Sequence, residues 1–315
     1  MAKLQLSFAC GLYDRMQPLY TGEVKADGID LNFIAIDQPR PIFDRMAAGE
    51  EFDVAEFSSS EFVQRFANKQ CPFVAIPIFP SRAFRHGFIA IHRKADIKTP
   101  KDLEGKSIAL TPGSAQFQQW PAFAKGCGVD ASKVRVVSID PAGTPPALIA
   151  GQVPAIAGFA QGQVPTVEIR GNKKTRVFWY ADCGVDAVSN GIVVHNDLIK
   201  EDPALIKAFV AASLKGFLYG RQHPDEMVAI AKKFSPTIEP AVTLREAELS
   251  WQTWVTPNTA GKPLGWMAQQ DWEHTVEVLK QYGGVTTPLE AEQLYTNAFV
   301  PTGAEFLPPP PPNKT

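Results

Sequence analysis

A chain of 315 residues, 45% hydrophobic and 20% charged, is too long for one small core and too apolar for wholesale disorder; it suits two domains. Its 31 Lys and Arg against 33 Asp and Glu leave a formal net charge of −2, which excludes the clustered positive excess that nucleic-acid binding needs. No stretch reaches the ~18–20 uninterrupted apolar residues of a membrane span, so no membrane insertion is expected.

The first half reads as strands alternating with helices. Strands are expected at 4–9, 29–36, 52–57, 73–79 and 87–92, with a helix over 41–49 ending at Gly49 and another from the Ser58-Ser59-Ser60 caps to about Asn68. A second series follows: strands at 106–110, 134–139, 155–160, 176–181 and 191–195, a helix from Ser114 to about Lys125 and a short one over 144–150. Alternation of this kind implies crossover units and a mainly parallel sheet. From Asp197 the pattern turns helical, with helices expected over 203–221, 224–234, 244–254 and 269–281. The fold class is therefore α/β, in two lobes with a helical C-terminal third. The chain is expected to cross between lobes on two apolar strands. Lobe one takes 1–88 and 193–300, lobe two takes 93–188, and 89–92 with 189–192 form a two-strand hinge. Five consecutive prolines, Pro308 to Pro312, mark 303–315 as an extended tail outside the core.

Met1-Ala2-Lys3 runs straight into the first strand with no signal-peptide pattern, which leaves two readings: a cytoplasmic protein, or a mature periplasmic form without its signal peptide. Cys10, Cys71, Cys127 and Cys183 are widely spaced, with no C-x-x-C, and are read as free thiols, although three complete pairings are open. No dinucleotide, Walker A, nucleophile-elbow or H-E-x-x-H pattern occurs, so neither a cofactor nor a metal is expected.

Four segments carry candidate ligand contacts. In C-G-L-Y-D-R (10–15), at the C-terminal end of the first strand, Tyr13 offers a stacking face and Arg15 a two-pronged donor for a carboxylate. In E-F-S-S-S (56–60), Glu56, Ser58 and Ser59 stand at a helix N-terminus. In F-P-S-R-A-F-R-H (79–86), Arg82, Arg85 and His86 form an anion-binding wall, or else a structural strut between lobes. In T-P-G-S-A (111–115), Thr111 and Ser114 offer hydroxyls beside helix amides, unless Ser114 merely caps its helix. Ala115 and Phe159, at the start of that helix and the end of strand 155–160, complete the expected wall. A small anion with an aromatic body fits such a cleft.

The residues D-L-E-G-K-S-I-A-L-T-P-G-S-A (102–115), G-K-P-L-G-W-M (261–267), D-W-E-H-T-V (271–276), Q-Y-G-G-V (281–285) and Y-T-N-A-F-V (295–300) resemble periplasmic solute-binding proteins for sulfonates, taurine and thiamine-pyrimidine precursors. A-C-G-L-Y-D-R, G-I-D-L-N-F, F-D-V-A-E-F-S and V-A-I-P-I-F-P-S-R-A-F-R-H (74–86) resemble the 4,5-dihydroxyphthalate decarboxylase-like branch. Both resemblances imply the type II periplasmic-binding-protein fold. They imply a monomeric solute-binding protein that hands a small anionic ligand to an ABC permease. The alternative is a carboxy-lyase for an aromatic dicarboxylate, with Arg15, Arg82 and Arg85 holding carboxylates and His86 as proton donor. Thr-Pro-Gly-Ser-Ala stands where that branch has a longer aromatic segment, which favours binding.

Overall fold

The computed structural model describes residues 3–13, 16–76, 78, 87–92 and 95–310. Ten strands occur among them: β1 (Leu4–Cys10), β2 (Ile29–Ala35), β3 (Val54–Phe57), β4 (Phe73–Ile76), β5 (Gly87–His92), β6 (Ser107–Leu110), β7 (Arg135–Ser138), β8 (Ala155–Phe159), β9 (Thr175–Trp179) and β10 (Gly191–His195). The helices are α1 (Gln17–Thr21), α2 (Pro39–Gly49), α3 (Ser59–Ala67), α4 (Ala115–Gly126), α5 (Thr144–Ile149), α6 (Ala160–Pro165), α7 (Asn196–Glu201), α8 (Pro203–Gln222), α9 (Pro224–Phe234), α10 (Pro240–Trp251) and α11 (Gln269–Tyr282).

The strands make two five-stranded sheets, ordered β2-β1-β3-β10-β4 and β7-β6-β8-β5-β9. Each is mainly parallel with one strand reversed: β10 runs against β3 and β4, and β5 against β8 and β9. The α/β class expected from the sequence is thus the observed one. Strand periodicity explains how each sheet buries both faces. Leu6, Phe8, Ile192 and Val194 meet α8 on one face of the first sheet, while Ala9, Ala55 and Val193 meet α2, α3 and Trp272 on the other. In the second sheet Ile89 and Ile91 pack with Trp120 and Phe123 of α4, and Phe88 and Ala90 pack with Leu148 and Val164 of α5 and α6.

The expected hinge strands are corrected. Ile89–His92 are paired on both sides inside the second sheet, and Gly191–Ile192 belong to β10 in the first. Their unbroken apolar runs report burial on two faces, not a crossing. The chain returns to the first sheet through residues 180–190. Two C-terminal helices then bridge the halves. Leu249 of α10 enters the core beside α5 and α6, while Val278 of α11 enters the core beneath α4 and its neighbours Val276 and Leu279 stay with the first sheet.

Two further expectations are overturned. Cys127 and Cys183 form a disulfide, leaving Cys10 and Cys71 as thiols. The 56-residue separation hid the pairing, because only the packing of α4 against the turn after β9 brings the two together. The tail is not wholly outside the core. A short turn at Ala304–Phe306 plants Phe306 in the core beside α8, its carbonyl accepts from the Leu264 amide at 2.8 Å, and the Arg221 guanidinium donates to the Pro310 carbonyl. The proline run masked that anchor, one apolar residue ahead of it. Smaller differences concern ends: β3 starts at Val54, and α10 starts at Pro240 and stops at Trp251 because proline suits a first helical position.

Candidate functional site

The C-terminal ends of β1, β3 and β8 and the N-terminal end of the reversed strand β10 carry a connected set of polar and aromatic side chains. Tyr13 follows β1, Glu56 lies in β3, Asn190 precedes β10 and Phe159 ends β8. Tyr13, Asn190, Phe159, Gln161 and Gly162 line one cavity of about 1000 Å³, so residues attached to both sheets face the same space. Strand ends are where α/β sheets leave loops free to meet a ligand.

Glu56 organises the first-sheet wall. It is wholly buried, and the Tyr13 hydroxyl donates to both its oxygens, at 3.0 and 2.9 Å. Asn190 Nδ2 donates to Oε1 at 3.3 Å, and the Gly11 amide and Cys10 thiol approach Oε2 at 3.5 and 3.7 Å. The tight β1–α1 turn matters here: a Cβ on Gly11 would come within 2.6 Å of the Tyr13 ring, so only glycine lets the phenol fold back onto the carboxylate. Next to the cavity-lining Gln161 and Gly162, Gln163 of α6 donates through Nε2 to the Thr144 hydroxyl at 3.0 Å. Its amide also fills the space a side chain on Gly158 would need.

Away from Tyr13 the cavity runs between the α1–β2 loop and helices α8, α9 and α10, past Lys215, Met227, Trp251 and Trp254. The Tyr219 hydroxyl donates to Glu226 at 2.7 Å there, and that hydrogen bond raises the tyrosine's pKa. Behind the two tryptophans sits Arg221, 5.5 and 5.7 Å from their ring centres, its pKa lowered by burial.

Of the residues singled out from the sequence, Tyr13 and Phe159 line this cavity and Glu56 supports it from below. Thr111, Ser114, Ala115, Ser58 and Ser59 do not line it. Thr111 donates to the Ile139 carbonyl at 2.9 Å, and Ser114 caps α4 by accepting from the Phe117 amide at 3.1 Å. Ser58 pairs with Ser60 at 3.0 Å, and Ser59 donates to the Val188 carbonyl. Arg15, Arg82, Arg85 and His86 lie outside the described residues. Sequence reasoning missed Asn190, Gln161, Trp251 and Trp254. Ser189-Asn190 ahead of an apolar strand was the available signal for one; the two tryptophans, within and at the end of the helix expected over 244–254, carried no signal of their own. Among the described residues no cluster of His, Cys, Asp and Glu could hold a metal ion, and no helix is long and apolar enough to cross a membrane.

A family model described as NMT1/THI5 like matches residues 22–227. The chain belongs to this family. Among curated relatives, a 4,5-dihydroxyphthalate decarboxylase of Comamonas testosteroni is 39% identical over 139 residues, covering 44% of this chain and 42% of that protein. The riboflavin-binding protein RibY of Chloroflexus aurantiacus is 30% identical over 224 residues, covering 69% of this chain and 62% of that one. The matches therefore span less than two thirds of these relatives. Among solved structures, the periplasmic aliphatic sulphonate-binding protein SsuA of Escherichia coli aligns with a TM-score of 0.71 at 13% identity, covering 100% of this chain and 98% of that one. The alkanesulfonate-binding protein SsuA of Xanthomonas axonopodis pv. citri, bound to MOPS, aligns with a TM-score of 0.64 at 13% identity, covering 95% and 96%. This NMT1/THI5-like chain thus has the fold of periplasmic binding proteins, and the match at such low identity concerns fold alone.

Proposed function

We propose that this NMT1/THI5-like protein is the solute-binding component of an ABC importer, and that it captures a small aromatic carboxylate or sulfonate-type ligand between its two halves. The observation that carries the reading is the cavity shared by Tyr13 and Asn190 on one side and Phe159 and Gln161 on the other. A ligand touching both walls stabilises the closed arrangement by its differential contacts, and no chemistry is needed. The aromatic walls suit a flat ring. In this proposal the anionic group is met by the cationic segment Arg82, Arg85 and His86 together with Arg15, and the two halves, each built on one sheet, close as units. A periplasmic location, a monomeric state and a membrane permease as partner belong to the same reading. The Cys127–Cys183 disulfide supports an oxidising compartment.

A second reading is favoured by one observation, the 39% identity with a 4,5-dihydroxyphthalate decarboxylase. In it the protein is a carboxy-lyase with His86 as proton donor. One experiment separates the two. The protein is titrated calorimetrically with 4,5-dihydroxyphthalate, phthalate, an alkanesulfonate and riboflavin, and the incubated mixtures are then analysed for released CO2. Saturable binding with ligand recovered intact supports capture; CO2 release at a catalytic rate supports the lyase; binding by none of the four removes the proposed ligand class.

A further inference from the structure

We infer that the stretch of the cavity alongside α8, α9 and α10 is a second subsite, which takes an uncharged alkyl or aryl extension carried by the captured anion. The inference deepens the ligand class proposed above and rests on that reading.

The cavity holds about 1000 Å³, the upper end of what a drug-sized ligand fills, and a single-ring anion would leave most of it empty. It follows α8 from Ala208 to Gly220, about 18 Å at the rise of a helix. It is also continuous: Tyr13 and Phe159, at the strand ends, line the same space as Met227, Trp251 and Trp254. One molecule can therefore reach from the strand ends to the helices.

The helices keep that space open against their own preference. Gly216 lies in the interior of the 20-residue α8, where glycine is less stable than alanine. Its backbone is ordinarily helical, and a Cβ there would meet no atom within 4 Å. Gly220, one turn on, differs: a Cβ there would press on the Met227 sulfur at 3.2 Å. Neither backbone conformation nor close packing calls for glycine at 216; an open lumen does. Gly162 of α6 lines the cavity with the same open space. The α10 wall is apolar and fixed. Trp254 is buried, and Arg221 stands 5.7 Å from its ring centre and 5.5 Å from that of Trp251, holding both indoles in place. Such a wall, set before binding, loses little freedom when an apolar group docks. Indole, methionine and alanine surfaces favour the burial of apolar area and penalise the dehydration of a charge. The extension is therefore uncharged, and the anionic group stays outside this stretch.

Calorimetry with benzoate, 4-hexylbenzoate and 4-hexylphenol tests this, with benzenesulfonate and 4-hexylbenzenesulfonate as a second anion pair. Each methylene taken from water is worth about threefold to fourfold in affinity, so wild type should bind the hexyl member of an accepted pair at least about 10-fold more tightly than its parent. Gly216→Leu projects a side chain into the open stretch and should cut that gain to about twofold or less while the parent still binds. Gly216→Ala should keep most of the gain and melt no lower than wild type. Ala212→Leu, one turn away and also lining the cavity, is the second plug should Gly216→Leu fail to fold. No gain from the hexyl group in wild type, a gain that survives both plugs, or loss of parent and hexyl ligands alike in folded plugged protein overturns the inference and leaves solute capture standing. Binding of 4-hexylphenol as tight as that of 4-hexylbenzoate assigns the stretch to a separate apolar ligand and also overturns it. Binding by none of the anions removes the proposed ligand class and the inference with it.

Discussion

Cys127 and Cys183 tie the end of α4 to the turn after β9, with their Cα atoms 5.1 Å apart. The approach is close enough that a Cβ on the neighbouring Gly126 would lie 1.9 Å from the Cys183 carbonyl oxygen. A bridge closing a 56-residue loop removes unfolded-state freedom worth about 2–4 kcal/mol. Reductant, or Cys127→Ser with Cys183→Ser, should lower the melting temperature by roughly 5–10 °C. Thiol titration of the denatured, unreduced protein should find the two thiols of Cys10 and Cys71. Four reactive thiols and an unchanged melting point would refute the bridge.

Deleting residues 303–315 should be costly, contrary to what a proline-rich tail implies on its own. Phe306 is 4% exposed, and its carbonyl accepts from Leu264. Losing a buried phenylalanine costs about 3–5 kcal/mol. Phe306→Ala should reproduce most of the effect of the deletion in a denaturant melt. A truncation that keeps residues up to Pro310, and so retains the Arg221 contact, should melt within about 1–2 °C of wild type.

Ser114→Ala should behave as the loss of a helix cap. The Ser114 hydroxyl accepts from the Phe117 amide at 3.1 Å, a contact worth about 1 kcal/mol of stability. Calorimetric affinity for the ligand should stay within about twofold of wild type. A fall in affinity of tenfold or more with unchanged stability would return Ser114 to the binding wall.

Cys71 should alkylate slowly at neutral pH. Burial pushes its thiol up to about 11, with a backbone hydrogen bond at Phe73 a smaller opposing effect. The folded value lies above the ordinary thiol value, so the contribution to stability is fully present below the unfolded pKa and is lost as pH rises through about 11. Iodoacetamide labelling of the native protein, read by peptide mass, should therefore rise steeply only well above pH 9. Rapid labelling of Cys71 at pH 7.5 would contradict its burial.

The strand and helix positions were legible in the sequence because they depend on local chemistry. Alternation in Leu4–Cys10, the Ser114 cap, and proline at the first turns of α8 and α9 act over a few residues. Tyr13 was legible for the same reason: it follows a strand end. What tertiary structure alone decided is which distant segments meet. The strand after Asn190 inserts between β3 and β4, and only that insertion brings Asn190 to Glu56 across 134 residues of sequence. Chain closure over such distances is fixed by the packing of whole sheets, not by any local preference. The same holds for Cys127 with Cys183, for Phe306 with α8, and for Trp251 and Trp254 beside the cavity. Each residue's own neighbours in sequence leave its partner open, and the cores of the two sheets select it.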